Sequence, residues 1–277
     1  MTDNTTNNQN SQNDLRPDTS GYLHANGLQM YYETFGTGQP LILLHGGTAT
    51  VASWYGHIPT FAQHFKTIAV DSRGHGKTDN PAGELSYMTM ADDVAAFIRA
   101  MRLNAPLVLG FSDGAQIALE LGIRHPGLAR ALVLGGAYYR FSEQYQEGLR
   151  GFGFEGPDTN GPARIREIPD DWAETLRQDH AREGDPEYWK SLMSQIAVLW
   201  WTPLNYTAED FAKIGVPTLI VSGDREEASE VEQSVEMYRM IAKAELFIVP
   251  KAGHMQSAEQ MANPLVIEFL QRNSTDS

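Results

Sequence analysis

Residues 107 to 122 read Leu-Val-Leu-Gly-Phe-Ser-Asp-Gly-Ala-Gln-Ile-Ala-Leu-Glu-Leu-Gly: an apolar run of strand length enters Gly-x-Ser-x-Gly and leaves as an apolar-periodic helix. A strand that turns directly into a helix is the first half of a βα unit, so this stretch points to a parallel sheet covered by helices. It also makes Ser112 the candidate nucleophile. A serine hydroxyl attacks a carbonyl only when it is exposed, held rigidly and served by a base, and a sharp strand-to-helix turn supplies the first two conditions. Gly110 and Gly114 lack a Cβ, which permits the tight turn and lets the helix approach its neighbours closely.

The same rhythm recurs along the chain. Tyr22 to Phe35 holds two strand-like runs around an Asn26-Gly27 turn, a hairpin signal. Strands are then expected at Pro40 to Leu44, Thr67 to Val70, Leu107 to Leu109, Ala129 to Leu134, Pro217 to Val221 and Glu245 to Val249. Helices are expected at Met88 to Met101, Gly114 to Arg124, Glu230 to Ala242 and Ala258 to Gln271. Between about 137 and 205 the strands disappear. Two helices are expected there, Asp170 to Arg182 and Pro186 to Trp201, the second with Trp189, Leu192, Met193, Ile196, Leu199 and Trp200 at three-and-four spacing. An insertion within one α/β domain accounts for this, giving a core of 21–136 and 206–277 and an inserted helical segment of 137–205. Asp92 and Asp93 read as a solvated helix face.

A formal charge of −14 disfavours nucleic acid and anionic membrane as partners, since both would be repelled. With no cysteine there is no disulfide, no thiolate nucleophile and no cysteine-ligated metal. Residues 1–20 are polar and rich in amide side chains, so a disordered tail is expected. They lack the basic start and apolar run of a secretory signal, and no stretch reaches the roughly 18 apolar residues of a membrane span, so a cytoplasmic protein is the expectation.

A base for Ser112 must stand at the end of another strand. Of eight histidines, His254 alone follows an apolar strand near the C-terminus, in Phe247-Ile248-Val249-Pro250-Lys251-Ala252-Gly253-His254. The acid that orients it should fall between the two in the chain order Ser, Asp, His, and Asp224 in Val221-Ser222-Gly223-Asp224 does so. Taken alone, Asp224 reads equally well as a helix cap. The oxyanion donors would be backbone amides, the N–H of Asp113 and that of Gly47 in His45-Gly46-Gly47-Thr48, with the Thr48 hydroxyl as the alternative within that loop. His45 and His75 precede glycines in loops and are assigned to geometry rather than chemistry.

These motifs together resemble the α/β-hydrolase superfamily over residues 21 to 272, in its branch of small esterases, lactonases and C–C bond hydrolases with a helical cap. The matching residues are the His45-Gly46-Gly47 loop, the Asp71-Ser72-Arg73-Gly74-His75-Gly76 turn, the Gly110 to Gly114 elbow, the Gly223-Asp224 turn and the Gly253-His254 turn. The resemblance implies a mostly parallel sheet of about eight strands flanked by helices, no cofactor or metal, and a cap formed by the insertion. Ala115 departs from the second glycine of relatives with Asp beside the nucleophile. Thr48-Ala49 replaces the Pro-Gly of proline iminopeptidases, which speaks against peptidase activity.

The expected function is hydrolysis of a small, mostly apolar ester or lactone through an acyl-enzyme. C–C bond hydrolysis or perhydrolysis by the same triad is the alternative, as is a ligand receptor on a hydrolase fold. Thr48, Phe111, Trp200 and Met255 are the expected pocket residues. The aromatic and methionine residues of the insertion serve either its own core or an apolar pocket; Trp200 and Trp201, about 100° apart on a helix, cannot both face the same way.

Overall fold

Alternation of side chains along the strands builds two separate cores, one on each face of a central sheet. In the computed structural model, which describes residues 15–159, 161–227 and 229–274, Ile42 and Leu44, Val108, Leu132 and Leu134, and Ile220 face one apolar cluster. Their neighbours Leu41 and Leu43, Leu107 and Leu109, Ala131 and Val133, and Leu219 and Val221 face the other. Period-two alternation of apolar residues on both faces is what a sheet sandwiched between helices requires.

The strands are β1 (Thr19–Ala25), β2 (Leu28–Phe35), β3 (Pro40–Leu44), β4 (Lys66–Val70), β5 (Leu107–Phe111) and β6 (Ala131–Gly135), a short pair β7 (Phe154–Glu155) and β8 (Arg164–Ile165), then β9 (Thr218–Gly223) and β10 (Ala244–Val249). The main sheet has eight strands in the order β1-β2-β4-β3-β5-β6-β9-β10. β1 and β2 pair antiparallel around Asn26-Gly27, β2 is antiparallel to β4, and the rest are parallel. The chain steps from β3 outward to β4 and returns to β5 on the other side of β3. This reversal opens a crevice at the carboxyl ends of β3 and β5, where sheets of this type bind ligands.

The helices are α1 (Ile58–Phe61), α2 (Tyr87–Ala100), α3 (Asp113–Arg124), α4 (Glu143–Gly151), α5 (Asp170–His180), α6 (Tyr188–Trp200), α7 (Ala208–Phe211), α8 (Val231–Met240), α9 (His254–Glu259) and α10 (Pro264–Arg272). Four of them, α4 to α7, lie between β6 and β9, and α4 to α6 share an apolar cluster of their own that includes Tyr138, Leu149, Phe154, Leu176, Leu192 and Ile196.

Several expectations need correction. The segment 137–205 is not free of strands: β7 and β8 pair there, and α4 precedes them. The stretch Ala258 to Gln271 is two helices, because Pro264 has no N–H to continue a helix and instead opens α10, capped by the Asn263 side chain on the Leu265 N–H. Of the expected tail, residues 1–14 lie outside the described residues, whereas Thr19 and Ser20 already belong to β1, anchored by the Asp18 N–H on the Thr34 carbonyl at 2.8 Å. Asp93 is not solvated. It is buried, takes both Nε and Nη2 of Arg73 at 2.7 and 2.6 Å and accepts from Asn26, a two-pronged pair that ties α2 to the Asp71–Gly76 turn. Asp92 on the adjacent face is half exposed and pairs with Arg124 and His125.

Candidate active site

Ser112 sits between β5 and α3 at φ 55 and ψ −119, a backbone region that a side-chain-bearing residue occupies only under constraint. The constraint comes from close packing. A Cβ on Gly110 would stand 2.0 Å from the Gly114 carbonyl oxygen, and one on Gly114 would stand 2.0 Å from that of Leu44. Both glycines are therefore obligatory: they let α3 close onto β5 and β3. The Ser112 N–H is held by the Gly135 carbonyl at 2.8 Å.

His254 opens α9, beyond the end of β10. Its ring lies against Phe111 with centroids 4.8 Å apart, and it shares with Ser112 one cavity of about 660 Å³. Its Nδ1 is 2.6 Å from Oε1 of Glu226, a side chain with 0% exposure. An ionised carboxylate only accepts, so Nδ1 carries the proton and Nε2 keeps a free lone pair, the tautomer a general base needs.

The acid expected at Asp224 is thus not the residue that meets the imidazole. Asp224 is 39% exposed; its Oδ1 accepts the Ala252 N–H at 3.2 Å, and Arg225 flanks it. Its backbone N–H bonds the Val249 carbonyl, and that of Arg225 bonds Ala252, so this residue pair ties the loop after β9 to the loop before α9. Those bonds turn the Asp224 side chain outward and carry the chain two residues further before a carboxylate points inward. Glu226 is fixed in turn by Gln144 of α4, which donates to its backbone carbonyl at 3.1 Å.

The His45-Gly46-Gly47-Thr48 loop leaves β3 and packs on the start of α3. A Cβ on Gly47 would come within 2.5 Å of Asp113 Oδ2 and 2.6 Å of Trp200 Cζ2, so only glycine fits. Asp113, the first residue of α3, has no N–H partner inside that helix. Its carboxylate is buried, and burial raises its pKa against the opposing donors: Trp200 Nε1 at 2.9 Å and the Tyr87 hydroxyl at 2.7 Å. Asp113 thereby joins α2, α3 and α6 behind Ser112.

His45 is buried and its pKa falls to about 4, chiefly through burial. Its Nε2 accepts the Ser72 N–H at 2.9 Å, which leaves Nδ1–H to donate to the Gly46 carbonyl at 2.7 Å. Asp71, pushed up to about 6 by burial, takes the Val51 and Lys77 N–H groups and so fixes the segment that follows the loop.

Gly47, Thr48, Phe111, Ser112, Asp113, Trp200, His254 and Met255 all line the one cavity, and Asp224 does not. Of the two adjacent tryptophans, Trp200 faces the cavity while Trp201 is buried against Phe141 and Arg150. Sequence reasoning missed Glu226 and Tyr87; Tyr138, one of the aromatics of the inserted segment, lines the cavity and donates to Tyr145 at 2.9 Å.

Residues 41–263 match the model of the alpha/beta hydrolase family. The chain belongs to that family. This α/β hydrolase is 27% identical, over 91% of both chains, to the 2-hydroxy-6-oxo-6-(2'-aminophenyl)hexa-2,4-dienoic acid hydrolase of Metapseudomonas resinovorans. It is 26% identical to the 2-hydroxy-6-oxo-2,4-heptadienoate hydrolase of Pseudomonas putida, over 85% of this chain and 90% of that one. Among solved structures it superposes with a TM-score of 0.70 on a serine hydrolase involved in carbazole degradation, at 27% identity over 92% of this chain and 99% of the other. The α/β hydrolase has no helix among its described residues that is long and apolar enough to cross a membrane.

Proposed function

We propose that this hydrolase cleaves neutral, largely apolar carboxylic esters or lactones through an acyl-enzyme on Ser112. In this reading Ser112 Oγ attacks the substrate carbonyl and gives its proton to His254 Nε2. Glu226, on Nδ1, stabilises the imidazolium that forms. The oxyanion is received by the N–H groups of Gly47 and Asp113, worth about 10² to 10³ in rate for each donor. Collapse of the tetrahedral species expels the alcohol, which takes the proton from His254. Water then repeats the sequence on the acyl-enzyme, releasing the acid and restoring Ser112. Residues 137–205 act as a cap, with Trp200, Tyr138, Phe152 and Trp172 forming the acyl pocket.

The observation that carries the choice of a neutral substrate is the charge of the lining. The cavity holds the carboxylates of Asp113 and Glu259, and no lysine or arginine lines it among the described residues. A substrate carboxylate drawn from water into such a site would find no cation to offset its desolvation. The two relatives above are named for a dienoic acid and a dienoate. Likeness to them favours a second reading, C–C bond hydrolysis by the same residues, and the lining opposes it.

The test is a comparison of kcat/KM for p-nitrophenyl esters of graded acyl length with that for a 2-hydroxy-6-oxo-dienoate. The reading expects the esters to lead by about two orders of magnitude, and expects Ser112→Ala to abolish their hydrolysis. A dienoate turned over faster than every ester would reverse the assignment.

A further inference from the structure

Thr48 has φ 62, in the left-handed region that a β-branched residue rarely enters, and it directly follows the glycine whose N–H is read as an oxyanion donor. A loop held in such a conformation needs partners that keep it there. The Gly46 carbonyl takes the Ala49 N–H at 3.3 Å, and an imidazole also meets each of the two carbonyls on either side of Gly47. His45 Nδ1 meets the Gly46 carbonyl at 2.7 Å, and His180 Nε2 meets the Thr48 carbonyl at 3.0 Å. His45 belongs to the loop itself. His180 is the last residue of α5, in the inserted segment, and is fully buried.

The tautomers follow from the backbone. A peptide N–H can only donate, so the Gly76 N–H at 2.9 Å from His180 Nδ1 makes that nitrogen an acceptor, and Nε2 must carry the proton given to Thr48. The same logic fixes His45 through the Ser72 N–H. Peptide planarity then sets the direction of the Gly47 N–H, because it shares one rigid plane with the Gly46 carbonyl and points opposite to it. His45 orients that plane, and His180 anchors the next carbonyl but one, so the loop is pinned on both sides of Gly47.

Resting on the reading of Gly47 as an oxyanion donor, we propose that His180 is a positioning residue that holds the oxyanion loop in its working conformation from the inserted helical segment. The donor geometry is thereby coupled to the docking of residues 137–205: if α5 lifts, the Thr48 carbonyl loses its donor. The groups facing His180 are the ring of His75, centroids 5.8 Å apart, with the His45 ring tilted against the far side of His75 at 5.2 Å, Arg182, which donates to the Gly74 and Thr78 carbonyls, and Asp179 on its own helix. Burial holds the imidazole below its usual pKa, in the neutral form that both bonds require.

The test compares His180→Phe, which removes donor and acceptor, with His180→Gln, whose planar amide offers one of each. Two ligands are measured alongside kcat and KM: a trifluoromethyl ketone, which adds to Ser112 and places an oxyanion, and the matching methyl ketone, which binds as a ground-state analogue. His180→Phe should lower kcat by about 10- to 100-fold with KM within about threefold, since misplacing a donor by about 1 Å costs on this scale. Affinity for the trifluoromethyl ketone should fall by the same factor, that for the methyl ketone should hold, and His180→Gln should recover most of the loss. If His180→Phe does not fold, His180→Asn, with its shorter reach, is read the same way. Unchanged trifluoromethyl ketone affinity, or equal losses for both ketones, would overturn the proposal. Fluorophosphonate labelling of the wild type separates the two claims. A wild type that is not labelled at Ser112 defeats the acyl-enzyme reading itself, while a labelled wild type with indifferent His180 variants defeats only this one.

Discussion

Replacing Glu226 with glutamine while keeping every carbon in place isolates what the carboxylate does for His254. In the native site Oε1 is 2.6 Å from Nδ1, and neither side chain has much water to substitute for the other, at 0% and 12% exposure. A glutamine amide either turns its oxygen to Nδ1 and loses the charge that stabilises the imidazolium, or turns its NH2 there and forces the proton onto Nε2, where the base can no longer accept. In the trypsin-like triad the equivalent acid-to-amide change costs about 10⁴ in kcat, which is about 5.4 kcal/mol of transition-state stabilisation. The full burial of Glu226 and its 2.6 Å contact with Nδ1 place the expected loss at about 10³ to 10⁴. Asp224→Asn is the paired control. Its carboxylate is 39% exposed and accepts the Ala252 N–H at 3.2 Å, a bond the asparagine oxygen can keep, so kcat should change by less than about fivefold. Both variants are assayed for steady-state hydrolysis of p-nitrophenyl butyrate, with circular dichroism to establish folding. A loss of 10³ or more in Asp224→Asn, with Glu226→Gln near wild type, would refute the assignment of Glu226.

Ser112→Gly releases the φ 55 strain at the elbow, worth about 1–3 kcal/mol, against the extra chain entropy of glycine at about 0.5–1 kcal/mol. The inactive variant should gain about 1 kcal/mol, read as a rise of about 2–4 °C in Tm that Ser112→Ala does not share; equal Tm values would contradict it. Asp113→Ala strands the buried Tyr87 hydroxyl and Trp200 indole N–H, so urea unfolding should show a loss of about 2–5 kcal/mol. Because the Asp113 N–H is untouched, kcat on p-nitrophenyl acetate should fall far less than in Glu226→Gln. His180 has a native pKa below its unfolded value of about 6.5, so its contribution to stability is complete above that pH and declines as pH falls toward the native pKa. The Tm advantage of wild type over His180→Gln should therefore shrink between pH 7 and pH 5, and an advantage that grows would invert the sign.

The strands were legible because a strand covered on both sheet faces leaves a short, continuous run of leucine, isoleucine and valine in the sequence. Ser112 and His254 were legible for a related reason: each stands at a fixed point where a strand ends and a helix begins. The acid was not. Asp224, Glu226 and Glu227 fall within four residues of one loop, and no periodicity says which side chain turns inward. That choice is made by Asp224 and Arg225 bonding to Val249 and Ala252, contacts between segments distant in the chain. The burial of Asp93 was hidden in the same way, since its partner Arg73 lies on another element, and His180 had no local signal at all. Pro264 was a readable stop, overlooked because apolar residues continue at helical spacing on both sides of it.

The account rests on Ser112 carrying the acyl group, and mass spectrometry of the protein quenched during steady-state turnover of a p-nitrophenyl ester tests that directly. The expected result is a mass increase equal to the acyl group, mapped to the peptide containing Ser112, absent in Ser112→Ala and accompanied by a burst of p-nitrophenol. An acyl group mapped to another residue, or full turnover by Ser112→Ala, would contradict it.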